Sequence, residues 1–243
     1  MIDIHCHILP SIDDGSGSLS ESVAMARLAV ASGVTDIVAT PHFTGDPESL
    51  ALLPKILSRY DRLSQVLRQQ GIPLTLHPGA EILCTPRTVS LAQKQQLPTI
   101  DSTNYLLTEF YFNETGEYMD GILASLAACG YRPVVAHPER YDAVQNSPEL
   151  LEKWFFRGHI IQLNKGSFLG AFGPDAQQTA EDILRAGLAH IIASDAHSSR
   201  RRTTDMIPLR DALREICPER YIQVLLEDNP MRLIRNQDMV PTE

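Results

Sequence analysis

Ile2-Asp3-Ile4-His5-Cys6-His7-Ile8 is the stretch whose reading decides the fold. It is an apolar run with the look of a buried strand, and it carries two histidines two positions apart. Side chains on a strand alternate between faces, so His5 and His7 point one way and Cys6 the other. Two imidazoles side by side at the end of a buried strand make half of a metal site. The competing reading is a pair of core histidines, each bonded to a carbonyl. What the other strands bring decides between them.

Outward from this strand the pattern alternates β and α almost throughout, which predicts an α/β fold with a parallel sheet wound by helices. Further strands are expected at 35–40, 73–80, 105–108, 132–136, 160–163 and 190–193. Helices are expected at 20–32, 49–70, 86–95, 119–129, 148–157 and 175–186, the first capped by Ser18 or Ser20 and stopped by Gly33. Residues 204–235 read as two or three closing helices before a short polar tail. A chain of 243 residues, 43% apolar, fits one barrel-sized domain spanning 1–243. No linker, low-complexity segment or fixed-period repeat interrupts it.

Bulk properties exclude several classes. No run approaches the roughly 18 apolar residues of a membrane span, and the start lacks the regions of a signal peptide. A cytoplasmic chain without membrane insertion is therefore expected. Cys6, Cys84, Cys129 and Cys217 show no Cys-x-x-Cys spacing and read as buried thiols. A net charge of −9 argues against a nucleic-acid partner, which would need a basic stripe.

Six of the seven expected strands end at an acid or an imidazole: His5/His7, His42, Glu81, Glu109, His137 and Asp195/His197. Asp14 lies on the loop just past the first. In a parallel barrel all strand C-termini share one rim, where catalytic groups gather. Ordinary turn chemistry would favour Gly, Asn and Ser there instead. Five imidazoles and four carboxylates cannot crowd one rim unpaired, and divalent cations reconcile them. Nine ligands suit three ions sharing a bridging carboxylate. Three dications against four carboxylates leave a local charge of roughly +2, a pocket suited to a phosphate dianion. The ligand types admit manganese, iron, zinc or cobalt.

Arg140 follows His137 by three, and Arg200-Arg201-Arg202 follow His197. The arginine fork matches phosphate oxygens, although Arg140 could instead pair with Asp142, and at least two of the triple run read as a solvated turn. Cys6 reads as core packing, and His77, His159 and His190 as structural. A thiolate phosphatase would carry Cys-x5-Arg. Here the residues six positions after the cysteines are Ile12, Ser90, Val135 and Gln223, so thiol chemistry is out.

These motifs resemble a known family. His5-Cys6-His7, Asp13-Asp14-Gly15, Thr40-Pro41-His42, Gly79-Ala80-Glu81, Glu109-Phe110, His137-Pro138-Glu139-Arg140-Tyr141 and Ser194-Asp195-Ala196-His197 look like the polymerase-and-histidinol-phosphatase (PHP) superfamily. Within it they are most similar to the bacterial manganese-dependent tyrosine-protein phosphatases of capsule and exopolysaccharide operons, the CpsB/YwqE/CapC type. The likeness covers nearly the whole chain. It implies a distorted (β/α)7 TIM-like barrel with a trinuclear centre, manganese foremost. By position, His5, His7, Glu81 and Asp195 would serve one ion. Glu81 would bridge to a second, held with Glu109 and His137, and Asp14, His42 and His197 would hold the third.

The resemblance further gives Arg140 a phosphate contact. It puts a second arginine after the last metal histidine, and spacing picks Arg202. Thr203 departs from the proline usual next in the family. A metal-bridging hydroxide would attack phosphotyrosine, and the implied partner is the tyrosine-rich tail of a bacterial tyrosine autokinase. Competing readings are a histidinol-phosphate phosphatase, a PHP exonuclease, and an amidohydrolase, whose strand-four lysine is replaced here by Glu109. A scaffold that binds the kinase without turnover is the non-enzyme reading, and its sign would be a degenerate ligand set.

Overall fold

The computed structural model describes residues 1–241; positions 242 and 243, the end of the expected polar tail, lie outside the described residues. Nine strand segments occur in chain order: β1 (Ile2–Cys6), β2 (Asp36–Ala39), β3 (His42–Phe43), β4 (Thr75–Pro78), β5 (Glu81–Leu83), β6 (Tyr105–Glu109), β7 (Arg132–Ala136), β8 (Ile160–Asn164) and β9 (Ile191–Ala193). All pair in parallel, as β1-β2-β4 and as β3-β5-β6-β7-β8-β9.

Only Thr40-Pro41 separates β2 from β3, and only Gly79-Ala80 separates β4 from β5. The nine segments therefore trace the seven expected strands, two of them kinked. Pro41 cannot donate to a ladder, yet its carbonyl still accepts from Glu81 N at 3.0 Å across the kink. Gly79 is required at the matching kink, because a Cβ there would stand 2.7 Å from Val38 Cγ1. The first and last strands close the circle: Asp195 N donates to the His5 carbonyl and His7 N to the Ala196 carbonyl, both at 2.9 Å. The result is a closed, distorted (β/α)7 barrel.

Apolar alternation places two shells of core. Ile2, Ile4, Val38, Tyr105, Leu107, Val134, Ile160, Ile191 and Ala193 fill the barrel interior with Leu233. Their strand neighbours Ile37, Leu106, Val135, Ile161 and Ile192 pack outward on the helices with Met25, Leu63 and Trp154. β1 does not keep strict alternation. Its register against β2 slips by one residue between Asp3 and Cys6. The bulge lets Ile2 and Ile4 face inward below while His5 and His7 face the site above, with Cys6 turned to the outer core.

Helix ends follow capping chemistry. α1 (Leu19–Ala31) starts where Ser18 Oγ accepts from Glu21 N, and it stops before Gly33 at φ +89°. α2 (Pro47–Gln69) begins two residues before the expected 49, because Asp46 caps Ser49 N at 2.7 Å and Pro47 suits the first turn. After α3 (Pro86–Gln93), α4 (Gly116–Ala128) begins three residues before the expected 119, capped by Thr115. The expected helix at 148–157 is α6 (Glu149–Phe156), preceded by a short α5 (Asp142–Asn146). A one-turn α7 (Lys165–Phe168) follows β8, and α8 (Pro174–Arg185) leads to β9. α9 (Ile207–Arg214), α10 (Glu219–Gln223), a π-helical turn (Val224–Asp228) and α11 (Asn229–Ile234) close the chain.

His159 and His190 stand at the starts of β8 and β9, on the mouth away from the strand ends. His190 stacks on Phe155 at 4.8 Å and accepts from Ile161 N through Nδ1. Burial pushes its imidazole down to about 4. The unfolded chain protonates His190 near 6.5, so the stability it supports is complete above that pH and is lost as pH falls toward 4. His190→Asn keeps an acceptor but no titrating ring. In urea unfolding, the stability advantage of the wild type over this variant should shrink by about 1–2 kcal/mol from pH 7.5 to pH 5. An advantage that stays constant contradicts the assignment.

Candidate metal centre

Strand ends deliver the nine candidate ligands to one mouth. β1 supplies His5, His7 directly follows it, and the kinked strands set His42 and Glu81 in register across β3 and β5. β6 ends at Glu109. His137 follows β7, Asp195 and His197 follow β9, and Asp14 lies on the loop after β1. His137 and Asp195 take left-handed backbones, φ +37° and +49°, and so does Arg202 at +47°. Such conformations cost L residues roughly 1–3 kcal/mol each and persist where the surroundings impose them.

The donor atoms converge in overlapping groups: His5, His7 and Glu81; His5, His137 and Asp195; His42, Glu81 and Glu109; His7, Asp14, His42 and His197. His5 Nε2 and His7 Nε2 face each other at 3.3 Å. Each lies 3.2 Å from Glu81 Oε2, and they stand 3.5 and 3.6 Å from Asp195 Oδ1. That is the spacing of donors set about 2.1 Å from a common ion. The other oxygen of Glu81 meets His137 Nε2 at 2.9 Å. His42 borders two groups, with Nδ1 2.9 Å from Glu109 and Nε2 3.4 Å from Asp14. His197 Nε2 is 3.5 Å from the same Asp14 oxygen.

The electrostatics also fit a cation. Burial opposes charge at His5, yet Glu81 and Asp195 outweigh it and raise the imidazole to about 9. His7 is raised to about 9 against the same burial by Asp13 and Glu81, and His42 by Glu109 and Glu81. Burial likewise disfavours the Glu81 carboxylate, but His5 and His137 hold it well below the usual carboxylate range. Burial, with His7 and Arg202 nearby, pushes His197 down to about 4. His137 Nδ1 is buried with no hydrogen-bond partner among the described residues. Imidazoles that draw protons this strongly toward buried carboxylates are suited to divalent ions.

Both named arginines stand over this mouth. Arg140 and Arg202 reach Asp195 Oδ2 at 3.5 and 2.5 Å. Arg140 pairs with Asp195 rather than Asp142, and its guanidinium lies between the rings of Phe112 (4.3 Å) and Phe172 (4.0 Å). Arg200 and Arg201 are exposed. His77 does not join the site, bonding Asp36 and Asp101 instead. A cleft of about 350 Å³ lined by Phe112, Arg140, Asp142, Phe172 and Asp175 opens beside the centre. Another cavity, about 530 Å³, lies at the opposite mouth among Met1, Thr35, Glu227 and Arg232, and no candidate ligand lines it.

Residues 1–235 match the family described as capsular polysaccharide synthesis, CpsB/CapC. The chain belongs to that family. Its relatives include the tyrosine-protein phosphatase YwqE of Bacillus subtilis, 35% identical over 98% of this chain and 92% of YwqE. A solved structure superposes with a TM-score of 0.86 at 34% identity, covering 99% of this chain and 96% of the other. Its description calls YwqE from Bacillus subtilis and CpsB from Streptococcus pneumoniae unique metal-dependent tyrosine phosphatases. A histidinol phosphate phosphatase of Lactococcus lactis, solved with zinc, L-histidinol and phosphate, shares the fold alone, with a TM-score of 0.52 at 15% identity over 88% and 93% of the two chains.

In this CpsB/CapC family member the residues that hold the candidate ligands in place are ones to which sequence reasoning gave no role of their own. Asp13 Oδ2 takes His7 Nδ1 at 2.9 Å and His42 N at 3.2 Å. Gln162 Oε1 meets His5 Nδ1 at 2.9 Å, and Asn164 Nδ2 donates to Asp195 at 2.5 Å. Such contacts fix ring tautomers and carboxylate direction. Gly15 closes the Asp13 loop where a Cβ would stand 2.3 Å from the His7 carbonyl. The signal was available: Gln162 and Asn164 sit two apart on a strand, repeating the His5/His7 pattern.

His5, His7 and His42, held at about 9 in the metal-free protein, bind a cation only as free bases. Titrating Mn2+ into metal-free protein in weak buffer at pH 7.5 should therefore release protons, and less so as pH rises past 9. Calorimetry in two buffers of different ionisation enthalpy measures this, and identical heats in both would contradict it.

Proposed function

We propose that this family member is a metal-dependent phosphatase of phosphotyrosine in proteins, its nine convergent ligands holding three divalent ions, manganese foremost. The observation that carries the reading is the convergence on Glu81: four imidazoles surround one buried carboxylate, with Asp195 beside two of them, at a barrel mouth topped by two arginines. By family position His5, His7, Glu81 and Asp195 would hold one ion, Glu81, Glu109 and His137 a second, and Asp14, His42 and His197 a third; the donor atoms themselves gather His137 with His5 and Asp195, and Glu109 with His42 and Glu81. Divalent ions in such a site bring water to near-neutral acidity and offset charge on phosphoryl oxygens.

The side chains supply the rest. Arg140 and Arg202 hold the phosphoryl oxygens in their forks and stabilise the charge that builds during in-line displacement. Phe112 and Phe172 hold Arg140 between them, and the cleft beside them takes the phenyl ring. A phenolate with a parent pKa of about 10 leaves with little acid assistance, so no dedicated general acid is needed.

The domain is read as the whole of 1–243, working in the cytoplasm on the tyrosine-rich tail of a capsule-assembly autokinase. Support comes from the capsule-synthesis family description. No described helix is long and apolar enough to cross a membrane.

Elemental analysis of purified protein should find about three ions per chain. Asp195→Asn and His137→Ala should lower metal content and reduce kcat by on the order of a hundredfold or more. Arg140→Ala should keep its metal and lose on the order of a hundredfold in kcat/KM on a phosphotyrosyl peptide. Faster turnover of histidinol phosphate than of that peptide, or full activity in His137→Ala, would overturn the proposal.

A further inference from the structure

Of the seven strands, β8 alone ends without an acid or imidazole; it runs into Asn164-Lys165-Gly166 instead. Lys165 is only 4% exposed, on the single turn of α7. Its ammonium donates to the backbone carbonyls of Thr203 and Asp205, the latter at 3.0 Å. A buried ammonium is costly unless its donors are used, and here they are spent on the chain just after Arg202. Arg202 sits in a left-handed conformation, φ +47°, with its own carbonyl accepting from His197 N at 2.8 Å. The strain at that residue needs holding from outside it.

The next residue acts on both guanidiniums through a ring. A Cβ on Gly166 would stand 2.5 Å from Phe172 Cε2 and 2.9 Å from Cζ. The Phe172 ring lies 4.0 Å from the Arg140 guanidinium carbon and 5.7 Å from that of Arg202.

We infer that the end of β8 sets the two phosphate-holding arginines, with Lys165 a positioning residue for Arg202 and Gly166 the space that seats Phe172 against both. The inference rests on reading Arg140 and Arg202 as phosphoryl ligands. Neither Lys165 nor Gly166 belongs to the candidate ligand groups, so the metal complement is measured alongside phosphate binding to separate the two effects. The same loop is fastened on its other side to α1, by Ser199 to Glu21 and Thr204 to Met25. Loss of Lys165 therefore loosens the arginine without releasing the loop.

The test compares Lys165→Met with Arg202→Ala for turnover of p-nitrophenyl phosphate, competitive inhibition by inorganic phosphate, and metal content. Both variants should keep wild-type metal, while KM and the phosphate inhibition constant rise roughly ten- to hundredfold, the scale of a misplaced binding group. The double variant should be no weaker than Arg202→Ala alone, because the clasp matters only while the arginine is present. Lys165→Gln, still able to reach one carbonyl, should recover part of the loss, and it carries the comparison if Lys165→Met does not fold. Gly166→Ala should weaken phosphate inhibition with metal retained.

Unchanged phosphate inhibition in the Lys165 variants, or losses that multiply in the double variant, overturn the role of Lys165. So does metal loss with normal turnover per loaded enzyme, the mark of a purely structural lysine. Wild-type phosphate inhibition in Gly166→Ala overturns the role of the ring. Wild-type inhibition in Arg202→Ala instead defeats the reading of that arginine, and the Lys165 inference falls with it.

Discussion

Glu81 is a carboxylate sealed from solvent and ringed by imidazoles: His5 and His7 at 3.2 Å, His42 at 3.3 Å and His137 at 2.9 Å. A buried ionised carboxylate is intolerable without compensating charge, so each neighbour must be placed closely. That demand accounts for features the barrel would not otherwise need. The kink at Pro41 sets His42 in register with Glu81, and the kink at Gly79 turns Glu81 itself to the mouth. The bulge in β1 rotates His5 and His7 to meet it.

Much of this was legible because barrel geometry converts position along the chain into position in space. Once strands alternate with helices, a residue at a strand's C-terminal end belongs to the rim, whatever its sequence distance from the others. His5, His42, Glu109 and Asp195 meet for that reason. Short-range capping set the errors in helix starts: Asp46 and Thr115 each recruit a turn that apolar periodicity alone does not mark. α5 and α7 are too short to carry a period at all.

The residues that orient the candidate ligands were harder to see. Two amides within a strand and a lysine just after it look like ordinary strand-end chemistry, so by type alone Gln162, Asn164 and Lys165 carried no signal. Their role comes from what lies opposite, His5, Asp195 and the carbonyls after Arg202, and all of these are distant in sequence. The bulge in β1 was hidden as well. Ile2 and Ile4 satisfy one alternation and His5 and His7 another, and only pairing with β2 shows where one gives way to the other. Net charge misleads about the mouth too: the chain is acidic overall at −9, yet Arg140 and Arg202 stand together there.

The seam between the first and last strands, where His5 and His7 exchange hydrogen bonds with Asp195 and Ala196, has a bearing on synthesis. The ribosome makes the two edges of that seam almost two hundred residues apart. The earliest histidines to emerge must wait, without their partners, for nearly the whole polypeptide. A nascent chain halted before that point holds an open sheet and only part of the donor set. The full set of candidate donors thus comes together only with completion of the circle.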